Sequence, residues 1–117
     1  MLKHWFDVVL LRGWAYGEGG DKLQGKHCLW VATTGGRESS FAATGAHQLP
    51  FAEFMAPIRQ TARFCGMEWE QPLAVHGAHV ITDDEIAAAA TDFRQRLSNW
   101  SPDPQAAREL RMPNDFA

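Results

Sequence analysis

Apolar positions recur along this chain with a helical step, then in short continuous runs, then with a helical step again. Over residues 1–11, Leu2, Trp5, Phe6, Val9 and Leu10 fall at helical spacing, which predicts a helix that Gly13 ends. A glycine-rich excursion follows from Gly13 to Gly25, long for a connection in a compact domain, and that length favours a functional loop. Residues 27–33 form a nearly continuous apolar run that closes in Thr33-Thr34-Gly35-Gly36, as expected of a strand covered on both faces of a parallel sheet. Residues 49–65 are periodic once more, with Phe51, Phe54, Met55, Ile58, Ala62 and Cys65 on one side. Pro50 suits the opening of that helix, Pro57 predicts a kink or a restart, and Gly66 is placed to terminate it.

Leu73-Ala74-Val75-His76, preceded by Pro72, predicts a second strand. Thr82-Asp83-Asp84-Glu85 has the form of a capping box, in which the Thr hydroxyl serves a backbone N–H and Glu85 reaches back. The helix it opens sets Ile86, Ala90, Phe93, Leu97 and Trp100 in alternating steps of four and three, the clearest amphipathic signal in the chain. Beyond residue 100 the composition turns to Pro, Asp, Gln and Arg, which predicts a polar tail over 101–117. Helix, strand, helix, strand, helix is the order of an α/β fold with a parallel sheet and right-handed crossovers. Two strands are too few for a doubly wound domain, so further strands are expected ahead of residue 1.

The 117 residues suffice for one domain, here 1–100 followed by the tail. The formal net charge of −3 is spread over mixed signs, and no basic block points to nucleic acid or an anionic membrane. Cys28 and Cys65 sit among apolar neighbours, as buried thiols of a reducing compartment do. No apolar run approaches the roughly 20 residues that span a bilayer, and Met1 to Asp7 lacks the apolar stretch of a secretory leader. A soluble intracellular domain is the expectation.

Chemistry concentrates in a few places. Thr33-Thr34-Gly35-Gly36 ends a buried strand, where open α/β sheets place ligands, and glycines let backbone N–H groups approach one closely. An ordinary strand-to-loop turn would have the same local look. His47, eleven residues after Gly36, could shuttle protons in a two-electron reduction, or be a plain surface histidine. His76 and His79 have no third ligand at a convincing spacing, which argues against zinc. Trp14 and Tyr16 offer flat surfaces to an aromatic substrate, or simply pack.

Taken in order, Leu2-Lys3-His4-Trp5-Phe6-Asp7, Arg12-Gly13-Trp14-Ala15-Tyr16-Gly17, Leu23-Gln24-Gly25-Lys26 and Thr33-Thr34-Gly35-Gly36 resemble one family. The match continues through Gly45-Ala46-His47, Phe64-Cys65-Gly66-Met67 and His76-Gly77-Ala78-His79. These pieces are similar to the KefF-type ancillary proteins, flavodoxin-like NAD(P)H:quinone oxidoreductases that accompany glutathione-regulated potassium efflux systems. DT-diaphorase, in the wider group, has the same Thr-Thr-Gly-Gly and a His at the same distance.

The resemblance implies a flavodoxin-like parallel sheet with flanking helices, and a chain that corresponds to the C-terminal part of the family. The family's first strands and its phosphate-binding loop would lie ahead of Met1. It implies FMN in preference to FAD, NAD(P)H as co-substrate, a quinone acceptor and a homodimer in the cytoplasm or on the cytoplasmic face of the inner membrane. Thr33, Thr34, Gly35 and Gly36 would hold the flavin ring edge, and His47 would steady the flavin as hydride arrives. Tyr16 would reach over the flavin of the other subunit. Phe41 stands where the DT-diaphorase pattern has a tyrosine beside the substrate, so a proton relay would rest on His47 or water. Two rival readings remain: a regulatory subunit docking on a potassium/proton antiporter, and an inactive truncated member.

Overall fold

The computed structural model describes residues 1–100, which divide after Val80 into two units. The polar tail expected over 101–117 lies outside the described residues. The first unit contains helix α1 (Leu2–Val9), strands β1 (His27–Cys28) and β2 (Val31–Thr33), a 3-10 turn at Glu38–Phe41, helix α2 (Phe51–Phe64), and strands β3 (Glu68–Trp69) and β4 (Leu73–Val75). The second carries helix α3 (Asp83–Asn99).

The single strand expected over 27–33 is one strand line interrupted in the middle. β1 pairs in parallel with β3, His27 opposite Glu68, and β2 pairs in parallel with β4, Val31 opposite Leu73. Between these pairs, Leu29 and Trp30 face the longer stretch Glu70, Gln71 and Pro72. The extra residue makes a bulge, bounded by Glu70 N–H donating to the Cys28 carbonyl at 3.0 Å and Leu73 N–H to the Trp30 carbonyl at 2.9 Å. Proline has no N–H for the ladder and is confined to such interruptions, so Pro72 fits where the pairing slips. The sequence reading missed β3 because two residues are too few to show a period. It expected two strands; the bulge splits the first into β1 and β2, β4 matches the second, and β3 is additional.

Helix α2 crosses between the two strand lines and supplies most of the core. Met55, Ala62 and Cys65 are buried from its side, with Leu73 from β4 and Ala15 from the glycine-rich excursion. The helix runs unbroken through Pro57 rather than restarting there, as the sequence had suggested. Glu53 and Pro57 are both exposed, so water can serve the Glu53 carbonyl that proline cannot reach. The Thr61 hydroxyl donates to the Pro57 carbonyl at 2.9 Å. At the other end, Gly66 takes φ +77°, and its N–H donates to the Arg63 carbonyl while Met67 N–H donates to Ala62. This crossed pair is a Schellman motif, and it confirms the glycine stop.

In the second unit the capping box forms as read. The Thr82 hydroxyl accepts from Glu85 N–H at 3.3 Å, and the Glu85 carboxylate accepts from Thr82 N–H at 2.8 Å. Asp92 and Arg96, one turn apart, form an ion pair at 3.1 Å. Among the described residues no helix is long and apolar enough to cross a membrane.

Two predictions follow from this packing. Gly66→Ala forces a side chain into the left-handed region, and its Cβ would meet Gln24 Cγ at 2.8 Å. Gln24 can swing aside, so the backbone term dominates, and urea denaturation should show a loss of about 1–2 kcal/mol. An unchanged midpoint would mean that position 66 is not held left-handed. Cys28 and Cys65 are free thiols, and burial pushes both above the ordinary thiol pKa. Raised folded values mean the unfolded thiols ionise first, so this contribution is intact at neutral pH and is lost as pH rises through the thiol range. Iodoacetamide at mildly alkaline pH should modify both more slowly than free cysteine, with buried Cys65 the slower; rates equal to free cysteine would contradict the burial.

Candidate functional site

The parallel ladder carries the ends of β2 and β4 out side by side, and the two following loops are stitched together. Thr34 N–H donates to the Val75 carbonyl, Ala78 N–H to the Thr34 carbonyl and Gly77 N–H to the Gly36 carbonyl, each at 2.9 Å. The Thr34 hydroxyl donates to the same Gly36 carbonyl at 2.8 Å and lies 2.8 Å from His76 Nδ1. The Gly36 carbonyl therefore accepts twice. The N–H groups of Gly35 and Gly36 donate to nothing among the described residues. Two adjacent donors without partners, beyond the carboxyl end of a parallel strand, can meet the acceptor edge of a ligand.

Histidines crowd this turn. A Cβ at Gly35 would come within 3.1 Å of His79 Nε2, and one at Gly36 within 3.4 Å of His47 Nε2. The absence of side chains at 35 and 36 is what lets both imidazoles approach the backbone. His47 is exposed, and its ring stacks on Phe41 with centroids 4.7 Å apart. Phe54 meets it edge-on at 5.9 Å, and His47 N–H donates to the Ser40 carbonyl. The next residue, Gln48, adopts φ +53°, an uncommon left-handed conformation away from glycine, and turns the chain toward α2. Phe41 is the hub: its ring touches His47, Phe51, Phe54 and His76.

The structure thus gathers Thr33 to Gly36, Phe41, His47, His76 and His79 in one place. Tyr16 lies elsewhere. Its ring tilts against Phe64 at 4.9 Å and helps to line an apolar groove of about 800 Å³ between α1 and α2, with Phe6, Leu10 and Cys65. That groove shares no residue with the Thr-Thr-Gly-Gly turn, and its lining is dominated by apolar side chains. We place the candidate site at the turn, because only there do free donors and titratable groups converge. The sequence reading raised His76 only as half of a metal pair, and treated Phe51 and Phe54 as core positions of a helix. Pairing the two apolar runs in parallel, with Thr33 opposite Val75, would have set His76 opposite Thr34. Among the described residues no group of three or more His, Cys, Asp or Glu converges as a metal site would require.

The chain closely matches the glutathione-regulated potassium-efflux system ancillary protein KefF of Salmonella typhi, with 47% identity over 100 residues, 86% of this chain and 56% of the relative. It therefore spans little more than half the length of the curated relatives it matches. Among solved structures, a thermophilic tryptophan halogenase from Streptomycin violaceusniger superposes with TM-score 0.77 and 33% identity, over 82% of this chain and 56% of the other. The general stress protein 14 of Treponema denticola, in complex with FMN, gives 0.76 and 31%, over 84% and 56%. An NADPH-quinone reductase from P. pentosaceus gives 0.75 and 28%, over 81% and 56%. The different activities named for these neighbours show that the fold alone does not fix the reaction. The family described as flavodoxin-like fold matches residues 1–97, and the chain belongs to that family.

Proposed function

We propose that this chain serves a flavin-dependent NAD(P)H:quinone oxidoreductase that works with a glutathione-regulated potassium efflux system. The carrying observation is the pair of unpartnered N–H donors at Gly35 and Gly36 with His47 Nε2 beside them. The likeness to KefF, to an FMN complex and to an NADPH-quinone reductase supports the reading. The donor set fits the pyrimidine edge of an isoalloxazine ring, where the acceptors N1 and O2, and O4 and N5, lie in adjacent pairs on either side of the N3–H donor. Gly35 and Gly36 would hold that edge through their N–H groups, with the Thr33 hydroxyl at the same turn and the Thr34 hydroxyl bracing the turn from within. When bound, FMN supplies the two-electron chemistry that passes hydride from NAD(P)H to a quinone.

The chain's own residues then orient, shield and move protons. His47 would hold or release a proton at Nε2, while Phe41 stacks behind its ring and limits its rotation. Phe41 carries no hydroxyl, so proton handling falls to His47 and water, and Phe41 would face substrate only as an apolar surface. Tyr16 fits a different task, covering the site of a second copy, since it sits apart from the turn of its own chain. Trp5, Val8, Leu11 and Phe64 are each more than half exposed, which suits a homodimer that covers them. The identity with KefF supports docking on the cytoplasmic side of a potassium/proton antiporter as the partner interaction.

Helices α2 and α3 begin with Glu53 and with Asp83, Asp84 and Glu85 in their first turns, which repel a phosphate. The candidate site at Gly35 and Gly36 would contact flavin through the ring rather than the phosphate. Titration of the chain by flavin fluorescence quenching should give FMN and riboflavin affinities within about threefold of each other, because a charged hydrogen bond to phosphate would add more than that. No quenching by either flavin would sink the flavin reading. In the assembled oxidoreductase, His47→Ala should cut NAD(P)H:quinone turnover by about 10²–10⁴-fold with flavin affinity unchanged, the range for loss of a general acid–base group. Unchanged turnover would return His47 to the status of a surface residue. Sedimentation velocity should show self-association, and a sharp monomer at high concentration would contradict the homodimer.

A further inference from the structure

We infer that His76 is a positioning residue, which holds the Thr34–Gly36 turn in its binding shape by donating from Nδ1 to the Thr34 hydroxyl. The identity of the ligand rests on the flavin reading above; the geometry does not. A threonine hydroxyl has one proton to give and two lone pairs to accept with. Thr34 spends its proton on the Gly36 carbonyl at 2.8 Å. Its 2.8 Å contact with His76 Nδ1 must therefore be a bond that Nδ1–H donates. The neutral ring is fixed as the Nδ1–H tautomer.

The imidazole is also held sideways. Phe41 tilts against it at 5.1 Å, and Phe51, the first residue of α2, meets it edge-on at 5.0 Å. His76 thus ties together the ends of β2 and β4, the 3-10 turn and the start of α2. Its action on a ligand is indirect. The relay from Nδ1–H to hydroxyl to carbonyl, joined by Gly77 N–H, keeps the Gly36 carbonyl occupied. With that acceptor taken, the adjacent N–H groups of Gly35 and Gly36 are left as the turn's paired free donors.

Three measurements on the protein and its variants test this. Nitrogen NMR of the unmutated chain should show His76 as the Nδ1–H tautomer at neutral pH. His76→Ala should weaken FMN about five- to tenfold, the worth of one net hydrogen bond, and speed amide exchange at Gly77 by a similar factor. His76→Asn, whose side-chain amide can donate to Thr34, should restore both to within about twofold. Adding Thr34→Val to His76→Ala should cost little more than Thr34→Val alone, because the two act as one chain. An Nε2–H tautomer, or an Asn variant as impaired as the Ala variant, would overturn the proposal. The tautomer and the Gly77 exchange need no flavin, so they decide the role of His76 by themselves. Failure of FMN to bind the unmutated chain would instead overturn the flavin reading.

Discussion

The parallel pairing of residues 27–33 with 68–75 is the constraint on which the rest of the first unit depends. It sets the end of β2 beside the end of β4, and every group of the candidate site is on, or packed against, one of the two loops that leave there. The bulge at Glu70 to Pro72 is part of that arrangement. A slip of one residue in a strand reverses which face each side chain occupies. Had the register of His27 with Glu68 continued without the extra residue, Thr33 would face Ala74 instead of Val75, and Thr34 could not reach His76 in its present geometry. The irregularity lies outside the site, at the start of the β2–β4 ladder, and still decides it.

Much of this was legible in the sequence where one residue type has a single strong preference. Gly66 past the end of an apolar period means a left-handed stop, and Thr82 with Glu85 means a capping box; both form as read. The helices follow from spacing, and parallel pairing follows from their alternation with apolar runs. Pro57 does not restart the helix, because a proline on an exposed helix face can leave a carbonyl to water without breaking it. The bulge and β3 were invisible, since hydrophobic pattern records burial and not register. For the site, the same limit applies. Thr33 to Gly36 and His47 stood out by motif and resemblance, whereas His76 matters only through its partner 42 residues away.

The balance of burial explains why such a partner is needed. Among the described residues five make up the buried apolar core, and none is large and fully enclosed. Packing of that extent cannot by itself hold a loop of two threonines and two glycines, because glycine has more backbone freedom to lose than any other residue. The turn is fixed instead by directional bonds: three backbone pairs across the loops and the hydroxyl–imidazole relay. Hydrogen bonds specify orientation where a small apolar core specifies only proximity.

Orientation is what the chemistry of this turn requires. A strand end normally presents carbonyls and N–H groups in alternation, and would accept donors and acceptors alike. Here the Thr34 and Gly36 carbonyls are taken by Ala78, Gly77 and the Thr34 hydroxyl, while the Gly35 and Gly36 donors stay free. The result is an edge at which two adjacent donors stay free, a local partial positive charge built from neutral groups. Such an edge favours a planar ring rich in acceptors, and favours it more as negative charge accumulates on that ring. On the proposed function, His47 Nε2 beside the same edge would add a proton's charge when the ring needs it and withdraw it afterwards. On that proposal, preference for an electron-accepting ring would follow from which backbone groups the fold consumes and which it leaves.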